Sequence, residues 1–99
     1  MVHHIVMWKF RPEIAEEQKP ELKRAMKENL EGLVGKVPGL LTAEFVEEPL
    51  PSSTHDMALV TTLEKAEDVA VYGSHPGHVA VADTYVRPFS TRGACLDYQ

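Results

Sequence analysis

The chain has 99 residues, of which 43% are hydrophobic and 25% charged, and its formal net charge is -5. This length fits one domain over residues 1–99, and the acidic balance disfavours nucleic-acid binding, because phosphate contacts require a basic surface. The apolar runs are too short to cross a membrane and the N-terminus lacks a secretory signal pattern, so we expect a cytoplasmic protein.

The chain has one cysteine, Cys95. A single thiol cannot form an intramolecular disulfide, and it cannot supply a CxxC motif for redox chemistry or zinc binding. Because Cys95 lies in a strand-like run, we expect it to be a small buried hydrophobic residue.

Side-chain periodicity predicts the secondary structure in chain order. Alternation indicates a first strand from His3 to Phe10, with His4, Val6 and Trp8 on one face. Apolar residues at three- and four-residue spacing then indicate an amphipathic helix from about Glu17, which Gly35, Pro38 and Gly39 end. The remaining predicted elements are a strand over Leu40 to Glu48, a strand over Asp56 to Leu63, a helix over Glu64 to Tyr72, a short helix from Pro76 to about Tyr85, and a strand over Thr91 to Tyr98.

The order β-α-β-β-α-β predicts an α+β, ferredoxin-like protomer with a four-stranded antiparallel sheet and helices on one face. Both faces of the predicted strands are largely apolar, so the face without helices needs another cover. We therefore expect a homodimer that forms through this sheet face, as a dimeric α/β barrel.

The segment Val71 to Val79, "VYGSHPGHV", combines a tyrosine and two histidines with helix-breaking residues. Pro76 suits the first position of a helix, His75 suits its cap, and His78 then occupies the third position. The positive end of the helix dipole disfavours a charged His78, and a neutral imidazole is what a general base requires. Tyr72 could donate a hydrogen bond to a carbonyl oxygen that becomes an enolate.

Other interpretations of these histidines stay open. His78 can instead be structural, with a hydrogen bond that holds the helix joint in place. His75 and His78 are three residues apart and Asp83 follows, but a capping role directs His75 away from His78, so we predict no metal site. Motifs for a phosphate, a dinucleotide or a nucleophilic serine do not occur, so we expect no cofactor.

Five segments, "HHIVMWKF", "VGKVPGL", "HDMALVTTLE", "VYGSHPGHVAVAD" and "ACLDY", together resemble the stress-responsive A/B barrel domain, also called the Dabb or dimeric α/β barrel domain. The resemblance covers essentially the whole chain, and its sharpest part is Tyr72 with His75, Pro76, His78 and Val79. It implies a ferredoxin-like protomer and a homodimer. Many members of this family have no assigned activity, some are associated with stress or defence, and one plant branch is a polyketide cyclase without a cofactor.

Resemblance to the cyclase branch implies that Tyr72 and His78 are catalytic and that His4 matches the histidine of the first strand. The histidine of the third strand has no counterpart, because Met57 takes its place and His55 lies two residues earlier. The residues that we expect to line a ligand pocket are Val6, Trp8, Leu22, Met26, Met57 and Leu59.

Two hypotheses about function follow. In the first, the protein binds a small apolar or carbonyl-containing ligand between sheet and helices; whether it is also an enzyme, a cofactor-independent cyclase-like lyase or isomerase, stays open. In the second, it is a non-enzymatic stress-response or interaction module with no ligand-sized cavity. The first hypothesis fails if Trp8, Met26 and Met57 fill the space beside Tyr72 and His78.

Overall fold

The structure is a computed structural model that describes residues 1–99, apart from the side chain of Arg92. The strands and helices occur in the predicted order. As predicted, the second helical region consists of two helices, which are separated at His75. The elements are β1 (Val2–Phe10), α1 (Lys19–Glu31, after a 3₁₀ turn at Glu16–Gln18), β2 (Leu40–Val46), β3 (Met57–Leu63), α2 (Glu67–Ser74), α3 (Pro76–Val81, continued by a π turn at Ala82–Val86) and β4 (Ser90–Tyr98).

The four strands form one antiparallel sheet in the order β2-β3-β1-β4, so β1 lies between β3 and β4. This is the ferredoxin-like arrangement that the sequence predicts. The register pairs His4 with Thr61 on one side and with Asp97 on the other, and it pairs Val6 with Leu59 and Cys95. These six residues therefore lie on one face of the sheet.

Helix α1 is shorter than its apolar periodicity suggests. It ends at Glu31, although Leu33 and Val37 continue the apolar pattern and are buried. The chain leaves the helix before Gly35, whose φ of 88° lies in the left-handed region that favours glycine. Turns after Glu31 bring Leu33 and Val37 into the core without further helix.

The two faces of the sheet differ in how they are covered. The helices pack on the face that contains Met57, Leu59, Thr61 and Leu63, all of them buried. The opposite side, which we call the open face, carries half-buried side chains in its middle and large exposed ones on β4; it comprises Ile5, Met7, Val60, Leu96 and Tyr98. None of the helices in the described part of the chain is long and apolar enough to cross a membrane.

Candidate active site

A pocket of about 740 Å³ lies between the helix-covered face of the sheet and the helices that follow β3. Three predicted pocket residues, Val6, Trp8 and Leu59, form part of its strand wall. Its polar lining includes the three predicted catalytic residues, His4, Tyr72 and His78, so strand and helix residues far apart in sequence meet in one cavity.

Leu22, Met26 and Met57 do not line this pocket, and their assignment as pocket residues was wrong. Met26 and Met57 are 0% and 1% exposed and belong to the hydrophobic core, while Leu22 packs against that core. The physical reason is the position of α1. Its Lys27 Nζ donates to the Phe45 carbonyl oxygen at 3.3 Å, so the helix lies over β2 at the sheet edge away from β4.

Tyr72 lies near the end of α2 and is 2% exposed. Its hydroxyl is buried and has no hydrogen-bond partner among the residues that the structure describes. Burial raises the pKa of Tyr72 to about 12. The phenol therefore stays protonated near neutral pH, and its O–H is a hydrogen-bond donor without a partner among the described residues.

The His78 ring packs against the Tyr72 ring, with 4.4 Å between the ring centroids. Its Nδ1 lies 3.2 Å from the carbonyl oxygen of Gly73. Because a carbonyl only accepts, Nδ1 carries the proton, and in the neutral ring Nε2 has a lone pair that can take up a proton. The same bond spans the joint between α2 and α3, as the structural interpretation of His78 requires.

The pKa of His78 is lowered, chiefly because burial disfavours the charged ring. The positive charge of Arg87 and the neighbouring His4 lower this pKa further, whereas the bond to Gly73 and the charge of Asp83 raise it. The sequence predicts a neutral His78 because of the dipole of its helix. Since α3 has only six residues, burial in the pocket wall is the stronger cause.

His75 is the N-cap of α3, and Pro76 is the first residue of that helix. The Gly77 N–H donates to His75 Nδ1 at 3.0 Å. The Nδ1 atoms of His75 and His78 therefore form hydrogen bonds with two different backbone groups. His75 Nδ1 accepts from a residue at the start of α3, and His78 Nδ1 donates to a residue in the last turn of α2. This geometry separates the two imidazoles, which the sequence distinguished as a cap and a candidate base.

Sequence reasoning missed the contact between His4 and Asp97. Nδ1 of His4 forms a hydrogen bond with Oδ1 of Asp97, and the Cys95 Sγ lies 3.7 Å from the same nitrogen. Thr61, fully buried on β3, donates its hydroxyl to the His4 carbonyl oxygen at 2.9 Å and fixes the backbone at that point. Alternation along β4 places Cys95 and Asp97 on one face, but only the β1–β4 register brings His4 to them.

Cys95 is exposed, so the prediction that it is buried was wrong. Strand β4 lies at the edge of the sheet, next to β1 only. Helix α1 covers the opposite half of the sheet, and the face of β4 toward the helices borders the pocket instead of the core. The thiol is therefore part of the pocket lining.

Known structures share this fold. A dimeric protein of unknown function with a ferredoxin-like fold from Bacteroides fragilis is 31% identical, with a TM-score of 0.89 over 99% of this chain and 94% of that chain. A dimeric ferredoxin-like protein of unknown function from Thermobifida fusca is 18% identical, with a TM-score of 0.74 over 98% of this chain and 88% of that chain. A hydroxynitrile lyase from Passiflora edulis is 17% identical, with a TM-score of 0.69 over 98% and 90% of the two chains. At 18% and 17% identity, the similarities to the Thermobifida and Passiflora proteins concern the fold alone.

A comparison with curated proteins gives no significant match. The family model described as the stress responsive A/B barrel domain matches residues 2–99. This match covers all four strands and all three helices, including Tyr72 and the two histidines that follow it. The chain therefore belongs to the stress-responsive A/B barrel domain family.

Proposed function

We propose that this protein binds a small, mostly apolar, carbonyl-containing ligand and removes a proton from the carbon next to the carbonyl, without a cofactor. The observation that carries the proposal is the buried Tyr72 hydroxyl, which has no hydrogen-bond partner among the described residues and adjoins the His78 ring. A buried hydroxyl without a partner is destabilising, and a ligand oxygen in the pocket would satisfy it.

In this mechanism His78 is the general base. Its Nε2 takes the proton from carbon, while Nδ1–H stays on the Gly73 carbonyl and holds the ring in place. The electron pair of the broken C–H bond forms the enolate. The enolate oxygen accepts a hydrogen bond from the Tyr72 O–H, which stabilises its negative charge. Delivery of the proton to the opposite face of that carbon, or to another carbon of a conjugated enolate, completes an isomerisation. Attack of the enolate carbon on a second carbonyl, with the proton passing to the new alkoxide, completes a cyclisation.

The size and lining of the pocket support ligand binding over the alternative of a module with no ligand-sized cavity. Small-molecule sites have volumes of roughly 300–1,000 Å³, and this pocket has about 740 Å³. Trp8 borders the pocket without filling it, and Met26 and Met57 lie in the core. The apolar wall of Val6, Trp8 and Leu59 suits the hydrocarbon part of a ligand.

We further propose that the protein is a homodimer that forms through the open face. The helices leave this face uncovered, and its Leu96 and Tyr98 are 63% and 46% exposed. Three similar structures, from Bacteroides fragilis, Thermobifida fusca and Jannaschia, are named as dimeric proteins. Packing two such faces together would remove these apolar side chains from water. One domain over residues 1–99 and a cytoplasmic location remain predictions from the sequence.

Proton abstraction can be tested with a linear alkyl methyl ketone in deuterated water, by following exchange of its α-protons by NMR. We expect His78→Gln to reduce the exchange rate by at least about 100-fold, the usual contribution of a general base. His3→Gln is the matched control, because His3 stacks on Tyr98 on the opposite face of the sheet. Exchange should also slow in Tyr72→Phe.

A second outcome would favour the structural interpretation of His78. If the His78→Gln variant exchanges the α-protons of the ketone as fast as the wild type does, and its melting temperature falls by several degrees, the assignment of His78 as general base is wrong. Mass spectrometry of the purified wild-type protein adds an independent test. A co-purified small molecule that is absent from a pocket-filling Leu59→Trp variant would support ligand binding.

A further inference from the structure

Three side chains of different chemistry converge where β1 and β4 meet at the pocket. His4 Nδ1, Cys95 Sγ and Asp97 Oδ1 all lie within 4.8 Å of one another. The sulfur is 3.7 Å from the nitrogen and 3.9 Å from the carboxylate oxygen, and the nitrogen and oxygen are hydrogen-bonded. The strand register fixes this convergence, because residue 4 pairs with residue 97 and Cys95 is two positions along the same face.

The spacing of these atoms matches a tetrahedral metal centre. Zinc bonds of about 2.0–2.3 Å at tetrahedral angles place neighbouring ligand atoms about 3.4–3.6 Å apart. Both distances from the Cys95 sulfur exceed this spacing by only a few tenths of an ångström. The His4–Asp97 pair would have to open to admit an ion, and the Asp97 side chain, which is 44% exposed, borders solvent into which it can rotate.

The contact pattern favours metal binding over nucleophilic catalysis by Cys95. In a nucleophile–histidine–acid chain, the nucleophile and the acid contact opposite nitrogens of the imidazole, so that a proton can be relayed. Here the sulfur and the carboxylate oxygen both approach Nδ1 of His4. Atoms that gather around one point can serve as ligands of one ion, whereas they do not form a relay.

We propose that His4, Cys95 and Asp97 form a binding site for zinc or a similar divalent transition-metal ion. A mixture of sulfur, nitrogen and oxygen ligands suits zinc, whereas magnesium and calcium prefer oxygen alone. Three protein ligands leave a fourth coordination position, and because all three residues line the pocket, that position is open to a pocket ligand. The inference does not depend on proton abstraction by His78.

Binding would move protons in a defined way. The Cys95 thiol must lose its proton to solvent, and the proton on His4 Nδ1 must shift to Nε2 so that Nδ1 can coordinate the ion. The ion carries two positive charges and meets one thiolate and one carboxylate, so the site is neutral when filled. Affinity for the ion should therefore increase as the pH increases toward the ordinary thiol range.

The first test adds cobalt(II) to tag-free, metal-stripped wild-type protein. We expect a thiolate-to-cobalt charge-transfer band and the intense visible bands of tetrahedral cobalt, both lost when zinc displaces it. Each of His4→Gln, Cys95→Ser and Asp97→Asn should weaken zinc binding by roughly tenfold or more, since even loss of an outer-shell group costs that much. His3→Gln, the neighbouring histidine on the other face, should bind zinc as the wild type does.

The second test needs no variant, so misfolding cannot obscure it. Cys95 is the chain's one cysteine, so any thiol-reactive dye reports on this site alone. Zinc should slow labelling of the wild-type protein at least about tenfold, and a chelator should restore it. Equal labelling with and without zinc, a six-coordinate cobalt spectrum without a thiolate band, or full zinc affinity in both His4→Gln and Cys95→Ser would overturn the proposal. Ketone exchange measured with chelator present tests the function of His78 separately.

Discussion

The two faces of the sheet are built from the same strands and differ in what covers them and in the side chains they carry. Along β1, His4, Val6 and Trp8 point to the helices and line the pocket, whereas Ile5 and Met7 lie on the open face. The covered face gathers polar groups at the β4 side, and the open face presents apolar side chains. Because alternation separates the two sets, the proposed ligand binding and the proposed dimerisation can be tested with separate substitutions.

The core between the covered face and α1 should be highly sensitive at Met26, which lies on α1 and is 0% exposed. We expect Met26→Ala to lower the free energy of unfolding by about 2–5 kcal/mol, because it leaves a cavity in the core. Chemical denaturation measures this change. Leu50→Ala is the control, since Leu50 is 74% exposed and its truncation should cost less than about 0.5 kcal/mol. If Met26→Ala lowers the free energy of unfolding by as little as Leu50→Ala does, Met26 is not part of the tightly packed core and its assignment to a pocket wall regains support.

The open face can be disrupted at Leu96. We expect Leu96→Glu to weaken the proposed dimer at least about tenfold, or about 1.4 kcal/mol, because a carboxylate would be placed in an apolar interface. Light scattering across a dilution series measures the change. Val71→Glu, at an exposed apolar position on α2, should leave the dimer intact. An unchanged dimer in Leu96→Glu would place the interface elsewhere.

The substitution Tyr72→Phe tests whether the Tyr72 hydroxyl binds a ligand or stabilises the folded chain. Since no described group pairs with this hydroxyl, its removal should leave the free energy of unfolding unchanged or raise it by up to about 1 kcal/mol. Thermal denaturation of the ligand-free protein gives the value. A loss of more than about 1 kcal/mol would mean that the hydroxyl stabilises the folded chain.

The smallest effect should be a pH dependence due to His78. Its pKa is lowered in the folded state from an ordinary value of 6.5, so the unfolded state binds a proton more readily between the two values. The His78 contribution is therefore complete above about pH 6.5 and is lost as the pH falls toward the folded-state pKa. Denaturation at several pH values should give a smaller loss on acidification for His78→Gln than for the wild type. Equal losses would contradict a lowered pKa of the half-buried His78.

Much of the fold was predictable because it depends on local patterns. Alternation identified the strands. The helix breaks at Pro76 and at Gly35 and Gly39 placed the turns within a few residues. The end of α1 was less predictable, since Leu33 and Val37 keep a helical spacing even though turns bring them to the core. Periodicity reports that a side chain is buried, and it does not distinguish a helix from successive turns that bury the same residue.

The candidate site was predictable only where its residues are close in the chain. Tyr72, His75 and His78 fall within one segment, so the distinction between a cap and a candidate base could be made from helix geometry. The contact of His4 with Asp97 joins residues 93 positions apart, and no local pattern specifies such a pairing. The pocket assignment of Met26 failed for the same reason, because it depends on where α1 crosses the sheet.

By itself, the sequence determined the order of the elements, the two faces of each strand and the helix joint after Tyr72, because these follow from steric and hydrogen-bonding preferences over a few residues. The tertiary structure decided the register between β1 and β4, and with it the group of His4, Cys95 and Asp97. It also decided which apolar residues fill the core and which border the pocket. Those outcomes depend on how the whole chain packs at once, so they depend on contacts between distant residues.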